Sequence, residues 1–235
     1  MKLLRLPGVY GPQLDTRMII DVVHREPGLR GGRVLDLCTG TGAIALAAAA
    51  AGAGRVTAVD VARRAVLTTW LNARAQRLRV TLHRGDLVAP VAGELFDLVL
   101  SNPPFVPTDA AGLPQRGPAR GWDAGADGRA LLDRICTEAP SVLAPGGVLL
   151  LVHSGVCSVT TTVAALERAG LAADVVARRT QPFGPLLTAR ADLLESRGLI
   201  PRGQRQEEMV VVRATRVASA QPTSAMTSSV TSKLA

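Results

Sequence analysis

Arg33-Val34-Leu35-Asp36-Leu37-Cys38-Thr39-Gly40-Thr41-Gly42-Ala43-Ile44-Ala45 decides how this chain folds. The first five residues form a short, largely apolar run of strand length, and glycines close it. The alanine-rich stretch 43–51 follows as a helix whose small side chains allow close packing on a sheet. Strand, glycine turn and helix make the first half of a parallel unit. The pattern repeats outward. Residues 55–60, 80–84 and 96–101 read as strands, with a helix over 62–77. Residues 128–142 read as a helix with Asp127 as N-cap. Pro145-Gly146-Gly147 is a turn into a strand over 148–152. A helix starting at Ser158 or Thr160 ends at Gly170, and 172–177 and 209–213 are the last strands. Strands alternating with helices imply an α/β fold, with a mostly parallel sheet covered on both faces. Ligands of such sheets bind beyond the carboxyl ends of the strands.

Three regions interrupt the alternation. Residues 1–30 form an N-terminal segment with a short helix from about Asp15. Residues 103–127 form a loop rich in Pro, Gly and Asp, a length expected of functional loops. Residues 181–206 form a second insertion with a helical stretch over 186–196. The α/β domain is therefore expected over 31–216, and 217–235, rich in Ser, Thr and Ala, as a disordered tail.

Composition removes several chemistries. Of the 27 basic residues, all but Lys2 and Lys233 are arginine. Phosphate-loop NTPases, Schiff-base enzymes and Tyr/Lys hydride-transfer enzymes each need an internal lysine. The arginine bias rises together with Ala, Gly and Val, as codon usage in a GC-rich genome would produce. Cys38, Cys136 and Cys157 are odd in number and widely spaced, so neither a disulfide framework nor a metal site is expected. His24, His83 and His153 lack ligand spacing and read as surface or strand-end residues. Trp70 and Phe96 read as core, whereas Tyr10 and Phe183 are candidates to border a pocket. The longest near-apolar stretch, 43–54, is too short to span a bilayer, and no signal-peptide pattern opens the chain. A cytoplasmic protein without membrane contact is expected.

The glycine turn alone also satisfies the dinucleotide pattern GxGxxA. Two further acids separate the readings. Asp36 beside the turn would repel a pyrophosphate and attract an ammonium group. Asp60, ending the second strand, suits a ribose hydroxyl in either reading. Asp86, after the third strand, suits an adenine amino group. Three acids after three strands fit a ligand with an amine, a ribose and an adenine, and S-adenosylmethionine is such a ligand. The fourth strand ends in Ser101-Asn102-Pro103-Pro104-Phe105. Two prolines fix the backbone there. The Asn102 amide oxygen and the adjacent carbonyl can together accept both hydrogens of a planar NH2 group, on which Phe105 can stack. This suits methylation of a poorly nucleophilic nitrogen, with rate coming from alignment and from stabilised charge.

These residues are similar to a known family. The chain resembles class I S-adenosylmethionine-dependent methyltransferases of the HemK/PrmC type, over about residues 9–214. Asn102-Pro103-Pro104-Phe105 resembles the family's NPP(Y/F) motif. Trp122-Asp123-Ala124-Gly125-Ala126-Asp127-Gly128 resembles the loop that follows it, and Val9-Tyr10-Gly11-Pro12-Gln13-Leu14-Asp15-Thr16 the first segment of a short subgroup lacking the bacterial helical domain. The resemblance implies a Rossmann-like, seven-stranded, mostly parallel sheet. It implies a cofactor site at Thr16, Asp36, Cys38, Gly40, Asp60, Asp86 and Leu87. Asn102, Pro103 and Phe105 would be catalytic, and Pro104, Trp122 and Tyr10 would bind substrate. Trp122 would equally serve as an anchor of its loop. Cys38 departs from the family's usual glycine, and Phe105 lacks the hydroxyl of tyrosine. The implied acceptor is a protein nitrogen, foremost a glutamine amide of a release factor or ribosomal protein. A nucleic-acid adenine and a small-molecule amine are the alternatives. Some members of the short subgroup work with a small zinc-binding activating subunit. The net charge is +8, with four excess arginines over 178–216, where a basic face could meet RNA.

Overall fold

The computed structural model describes residues 3–110 and 112–217. The tail expected to lack structure begins at residue 217, and its residues 218–235 lie outside the described residues. Seven strands form one sheet: β1 (Arg33–Leu37), β2 (Arg55–Asp60), β3 (Thr81–Arg84), β4 (Phe96–Ser101), β5 (Leu143–Ser154), β6 (Leu171–Pro182) and β7 (Gln206–Arg216). Their order is β3-β2-β1-β4-β5-β7-β6. β1 to β5 run parallel, and β7 is antiparallel to both neighbours. This is the expected Rossmann-like α/β architecture.

Among the described residues seven α-helices complete it: α1 (Leu14–Val23), α2 (Ala43–Ala50), α3 (Arg63–Ala75), α4 (Ala130–Glu138), α5 (Val159–Arg168), α6 (Pro185–Ala189) and α7 (Ala191–Ser196). Alternate strand residues feed two cores on opposite faces of the sheet. Leu35, Val99 and Leu149 pack under Leu132 and Ile135 of α4 and Leu166 of α5. Val34, Leu98 and Leu150 pack under Ile19 of α1 and Ile44 and Ala45 of α2. Burial on both sides explains why β1 and β4 read as continuous apolar runs. In α2 the stripe is almost all alanine, and six of its eight residues are buried.

Several expectations are corrected. β6 and β7 are about twice the expected length, paired from Leu171↔Arg216 to Pro182↔Gln206. β6 is an edge strand whose first half, half-buried at alternate positions, is the part expected, whereas its second half, 178–182, is polar and almost wholly exposed, which hid it. The insertion between them, 183–205, breaks its helix into the short α6 and α7. Asp127 does not cap α4. Its carboxylate accepts from the Arg129 backbone N–H at 3.0 Å, and the N-cap position falls on Arg129. Trp70 is not core: it is 45% exposed, with the Arg74 guanidinium 5.2 Å from its ring centroid. His153 stands at the end of β5, a strand-end position as expected, and is fully buried there. Phe183 packs in a satellite core with Val106, Leu187 and Leu194 and borders neither cavity described below. Phe96 is core, as expected.

Because β7 runs against β5, its first residues lie beside the end of β5, Ser154↔Met209. The α6–α7 insertion is thereby carried to the carboxyl end of the parallel strands, where the loop after β4 also emerges. That loop folds back on itself through Val106 N–H to Trp122 O at 2.8 Å and Thr108 N–H to Gly125 O at 2.9 Å. It closes at Gly128, where φ is +76° and a Cβ would stand 2.3 Å from Phe105 O, so only glycine fits.

Candidate active site

The glycine turn rises from β1 in left-handed conformations at Cys38, Gly40 and Gly42. At Gly42 a Cβ would approach Thr69 Cγ2 to 2.6 Å, which lets α3 close on the turn. The Thr69 hydroxyl donates to Gly40 O at 3.2 Å, and the Asn72 amide donates to Thr41 O at 2.9 Å. Asp60 then fixes the turn's height. Its two oxygens accept from Gly40 N–H at 3.0 Å and Ala62 N–H at 2.8 Å. Burial raises the Asp60 carboxyl above its ordinary range, and the backbone donors and Arg120 work against that rise.

Beside the turn lies a cleft of about 450 Å³. Thr16, Cys38, Gly40, Asp60, Asp86 and Leu87 all line it, as do Tyr10, Asn102 and Pro104. One expected cofactor residue does not. Asp36 has no exposed surface and sits beneath the turn, where Oδ2 accepts from the Thr39 hydroxyl at 2.6 Å and Ala45 N–H at 3.2 Å. It braces the turn from below, and its Oδ1 has no partner. Burial pushes this carboxyl up to about 7, with Asp60 adding to the rise. Burial likewise raises the Cys38 thiol, which is not poised to react. Asp86 is exposed and held by Arg134 at 3.0 and 3.1 Å, an ion pair its sequence position did not signal. Five arginines (63, 64, 84, 116 and 120) also line the cleft, alongside the carboxylates of Asp60 and Asp86.

A second cavity, of about 100 Å³, opens on the other side of Asn102. Pro103, Phe105 and Trp122 line it, and Tyr10, Asn102, Pro104 and Gly121 line both cavities. Trp122 also packs against the satellite core, so it anchors its loop and walls the cavity. The NPPF segment is thus a partition. Asn102 Nδ2 donates to Thr16 Oγ1 at 3.2 Å, which turns the amide oxygen away from that bond and leaves it to accept. Thr16 is itself held by Asp15, whose other oxygen takes the Tyr10 hydroxyl at 2.9 Å. Burial and the Asp15 carboxylate raise the Tyr10 phenol well beyond its usual value.

Sequence reasoning missed Asp15, Gln181 and Glu207, all of which line the second cavity. Asp15, next to Thr16, could have been found from its neighbour. Gln181 opened what read as an insertion over 181–206, and Glu207 fell between that insertion and the strand expected over 209–213. Only recognition of the β6–β7 pairing would have placed them together. Among the described residues, no group of His, Cys, Asp or Glu could hold a metal, and no helix is long and apolar enough to cross a membrane.

Comparison with known proteins adds to this geometry. A family model described as methyltransferase small domain matches residues 1–113. A putative protein N5-glutamine methyltransferase of Methanocaldococcus jannaschii is 31% identical over 195 residues, covering 81% of this chain and 95% of that protein. A ribosomal protein uL3 glutamine methyltransferase of Bradyrhizobium diazoefficiens is 42% identical over 125 residues, 50% of this chain and 39% of that one. A release factor glutamine methyltransferase of Rhodospirillum rubrum is 39% identical over 146 residues, 59% of this chain and 45% of that one. The chain therefore spans nearly all of the archaeal relative and under half of these two bacterial ones. Among solved structures, Mtq2 of the E. cuniculi Mtq2–Trm112 complex superposes with a TM-score of 0.57 at 24% identity, covering 89% of this chain and 99% of that one. RsmC of T. thermophilus, solved with AdoMet and guanosine, gives 0.57 at 22% identity, covering 90% and 46%. Both likenesses are of fold.

Proposed function

Because the chain belongs to the class I S-adenosylmethionine-dependent methyltransferases of HemK/PrmC type, as its small-domain match and its archaeal relative establish, we propose that it methylates the side-chain amide of a glutamine in a translation factor or ribosomal protein. The family's cofactor, S-adenosylmethionine, suits the residues present. The Cys38–Gly42 turn carries no cation and offers backbone, and Asp60 offers lone pairs for ribose hydroxyls beyond its two backbone bonds. Thr16, Leu87 and Asp86 complete the walls. When bound, the cofactor supplies a methyl group activated by a sulfonium.

The chain's own residues account for the rest. Asn102 Oδ1, left free by the bond to Thr16, accepts an N–H of the acceptor and localises the nitrogen lone pair. Pro103 and Pro104 hold that residue rigid at the partition. Phe105 and Trp122 wall the acceptor cavity and exclude water from it. The observation that carries this reading is the place of Asn102 between the two cavities with its amide orientation fixed. Relatives named for release factor and uL3 glutamine methylation support the acceptor class.

The test is transfer of labelled methyl from S-adenosylmethionine to purified release factor and to uL3. Asn102→Ala is expected to lower transfer at least 100-fold, on the scale of lost transition-state donors and acceptors, with cofactor affinity within about threefold of wild type. Label in nucleic acid instead of protein overturns the acceptor assignment. A small activating subunit is a further partner of this reading, supported by the Mtq2–Trm112 likeness. Full turnover by the isolated chain removes it. The cytoplasm, as location, follows from the same acceptors.

A further inference from the structure

Glu207 stands second in β7, opposite Gln181 of β6. It is 5% exposed and lines the acceptor cavity together with Asn102, Phe105 and Trp122. The Gln181 amide donates to its Oε1 at 2.9 Å, while Oε2 has no partner of hydrogen-bond geometry, although the buried Ser154 hydroxyl of β5 stands beside the carboxylate. A buried acceptor without a donor destabilises the free protein, so natural folds rarely keep one without use. The neighbouring carboxylate in this cavity differs. Both oxygens of Asp15 are taken, one by Thr16 and one by the Tyr10 hydroxyl. Oε2 of Glu207 is thus the carboxylate oxygen left for an occupant. With Asn102 Oδ1 it makes two acceptors in a narrow slot with aromatic walls, which complements a planar group carrying N–H donors.

We propose that Glu207 is a specificity-determining residue of the acceptor cavity, its free Oε2 accepting a hydrogen bond from an N–H of the bound acceptor. This rests on the protein-methyltransferase reading above. Gln181 is the positioning residue, because its bond to Oε1 fixes the carboxylate plane. The charged and titratable groups facing Glu207 are Asp15 of α1, Tyr10 of the N-terminal segment and Cys157 just beyond β5. Arg178 of the same hairpin is occupied by Glu208 at 2.6 Å. No facing cation therefore offsets burial, and the Glu207 carboxyl lies above its ordinary range, with Ser154 and Gln181 opposing the rise only in part. Oε2 accepts an N–H only while unprotonated. Acceptor affinity should fall as pH drops into the range where Glu207 takes up its proton.

The experiment is steady-state kinetics on release factor across pH 5–8, for wild type, Glu207→Gln and Glu207→Asp. Trp122 fluorescence, in a Trp70→Phe background, reads acceptor binding directly. Glu207→Gln keeps the shape and replaces one oxygen by NH2. It is expected to raise KM for release factor at least tenfold, leave kcat within threefold, and abolish the acidic loss of acceptor affinity. Cofactor affinity should not change, because Glu207 does not line that cleft. Glu207→Asp should recover part of the affinity and the pH dependence. Unchanged KM and unchanged pH dependence in Glu207→Gln overturn the proposal while the enzyme reading stands. A parallel loss of cofactor affinity and thermal stability also overturns it, by assigning Glu207 to the scaffold. If wild type, both alone and with a Trm112-type subunit supplied, transfers methyl to neither release factor nor uL3, the enzyme reading fails, and the proposal with it.

Discussion

Asp36 carries a carboxyl that titrates near 7 because it is wholly buried under the turn it braces. A carboxyl whose folded value lies above its unfolded value, near 4, binds its proton more tightly in the folded state. The stability this gives is complete below about pH 4 and is lost as pH rises to about 7. Asp36→Asn removes the titration. Relative to wild type, the variant's stability should therefore gain on the order of 4 kcal/mol between pH 4 and pH 7 and then stay level. Denaturant melts at several pH values measure it, and a constant difference would refute it. A second expectation concerns Thr16. Thr16→Val frees the Asn102 amide to rotate. The loss of one hydrogen bond, about 1 kcal/mol, should lower kcat roughly fivefold, and Thr16→Ser should restore it. At this scale much of the site was legible. Asp60, Gly40, Asn102 and Phe105 sit where strand ends and proline geometry put them. Asp36 was placed on the ligand because a sequence position shows the element but not the layer. Glu207 was missed because charge alone looks solvent-facing.

Among the elements, the loop after β4 owes its shape to a clamp from α6 and α7. Arg190 donates to Pro107 O at 2.8 Å and to Asp123 at 2.6 Å, and Arg197 donates to Thr108 O at 2.8 Å and Ala126 O at 2.9 Å. The loop's far end is tied by Arg129, which is buried among Ser158 O, Thr162 Oγ1 and Asp133. Arg190→Ala leaves the buried Asp123 carboxylate without its cation. The expected cost is about 3 kcal/mol, with a raised KM for the acceptor and little change in cofactor affinity. Chemical denaturation and kinetics check this, and an unaltered acceptor KM would detach the clamp from binding. Sequence located both insertions yet not their union, because clamp donors and carbonyl acceptors lie more than 60 residues apart. The β6–β7 extension escaped for a related reason. The second half of this edge strand is exposed and polar, and Arg178-Arg179-Thr180 resembles a loop.

Across the whole molecule, neighbouring residues of the same strands serve opposite cores. On β5, Leu149 faces α4 and α5, while Leu150 faces α1 and α2, and both are fully buried. Since each strand supports both layers, the sheet should unfold in one step. Leu149→Ala and Leu150→Ala should each cost about 2–5 kcal/mol and shift a single transition. Two separable transitions by near- and far-ultraviolet circular dichroism would show the faces melting apart. Glu26, just beyond α1, also binds Arg213 of β7 at 2.9 Å, so the N-terminal segment closes onto the final strand. Eight arginines take part in ion pairs among the described residues, so the basic excess rests on the remaining cations.

The cofactor cleft and the acceptor cavity share four lining residues: Tyr10, Asn102, Pro104 and Gly121. A wall this thin makes the two chambers one target for a designed inhibitor. An adenosine joined through a short linker to a glutamine-like amide would thread past Asn102 and occupy both at once. Its affinity would draw on effective concentration as well as on either contact set, and its selectivity would come from the narrow chamber beside Glu207.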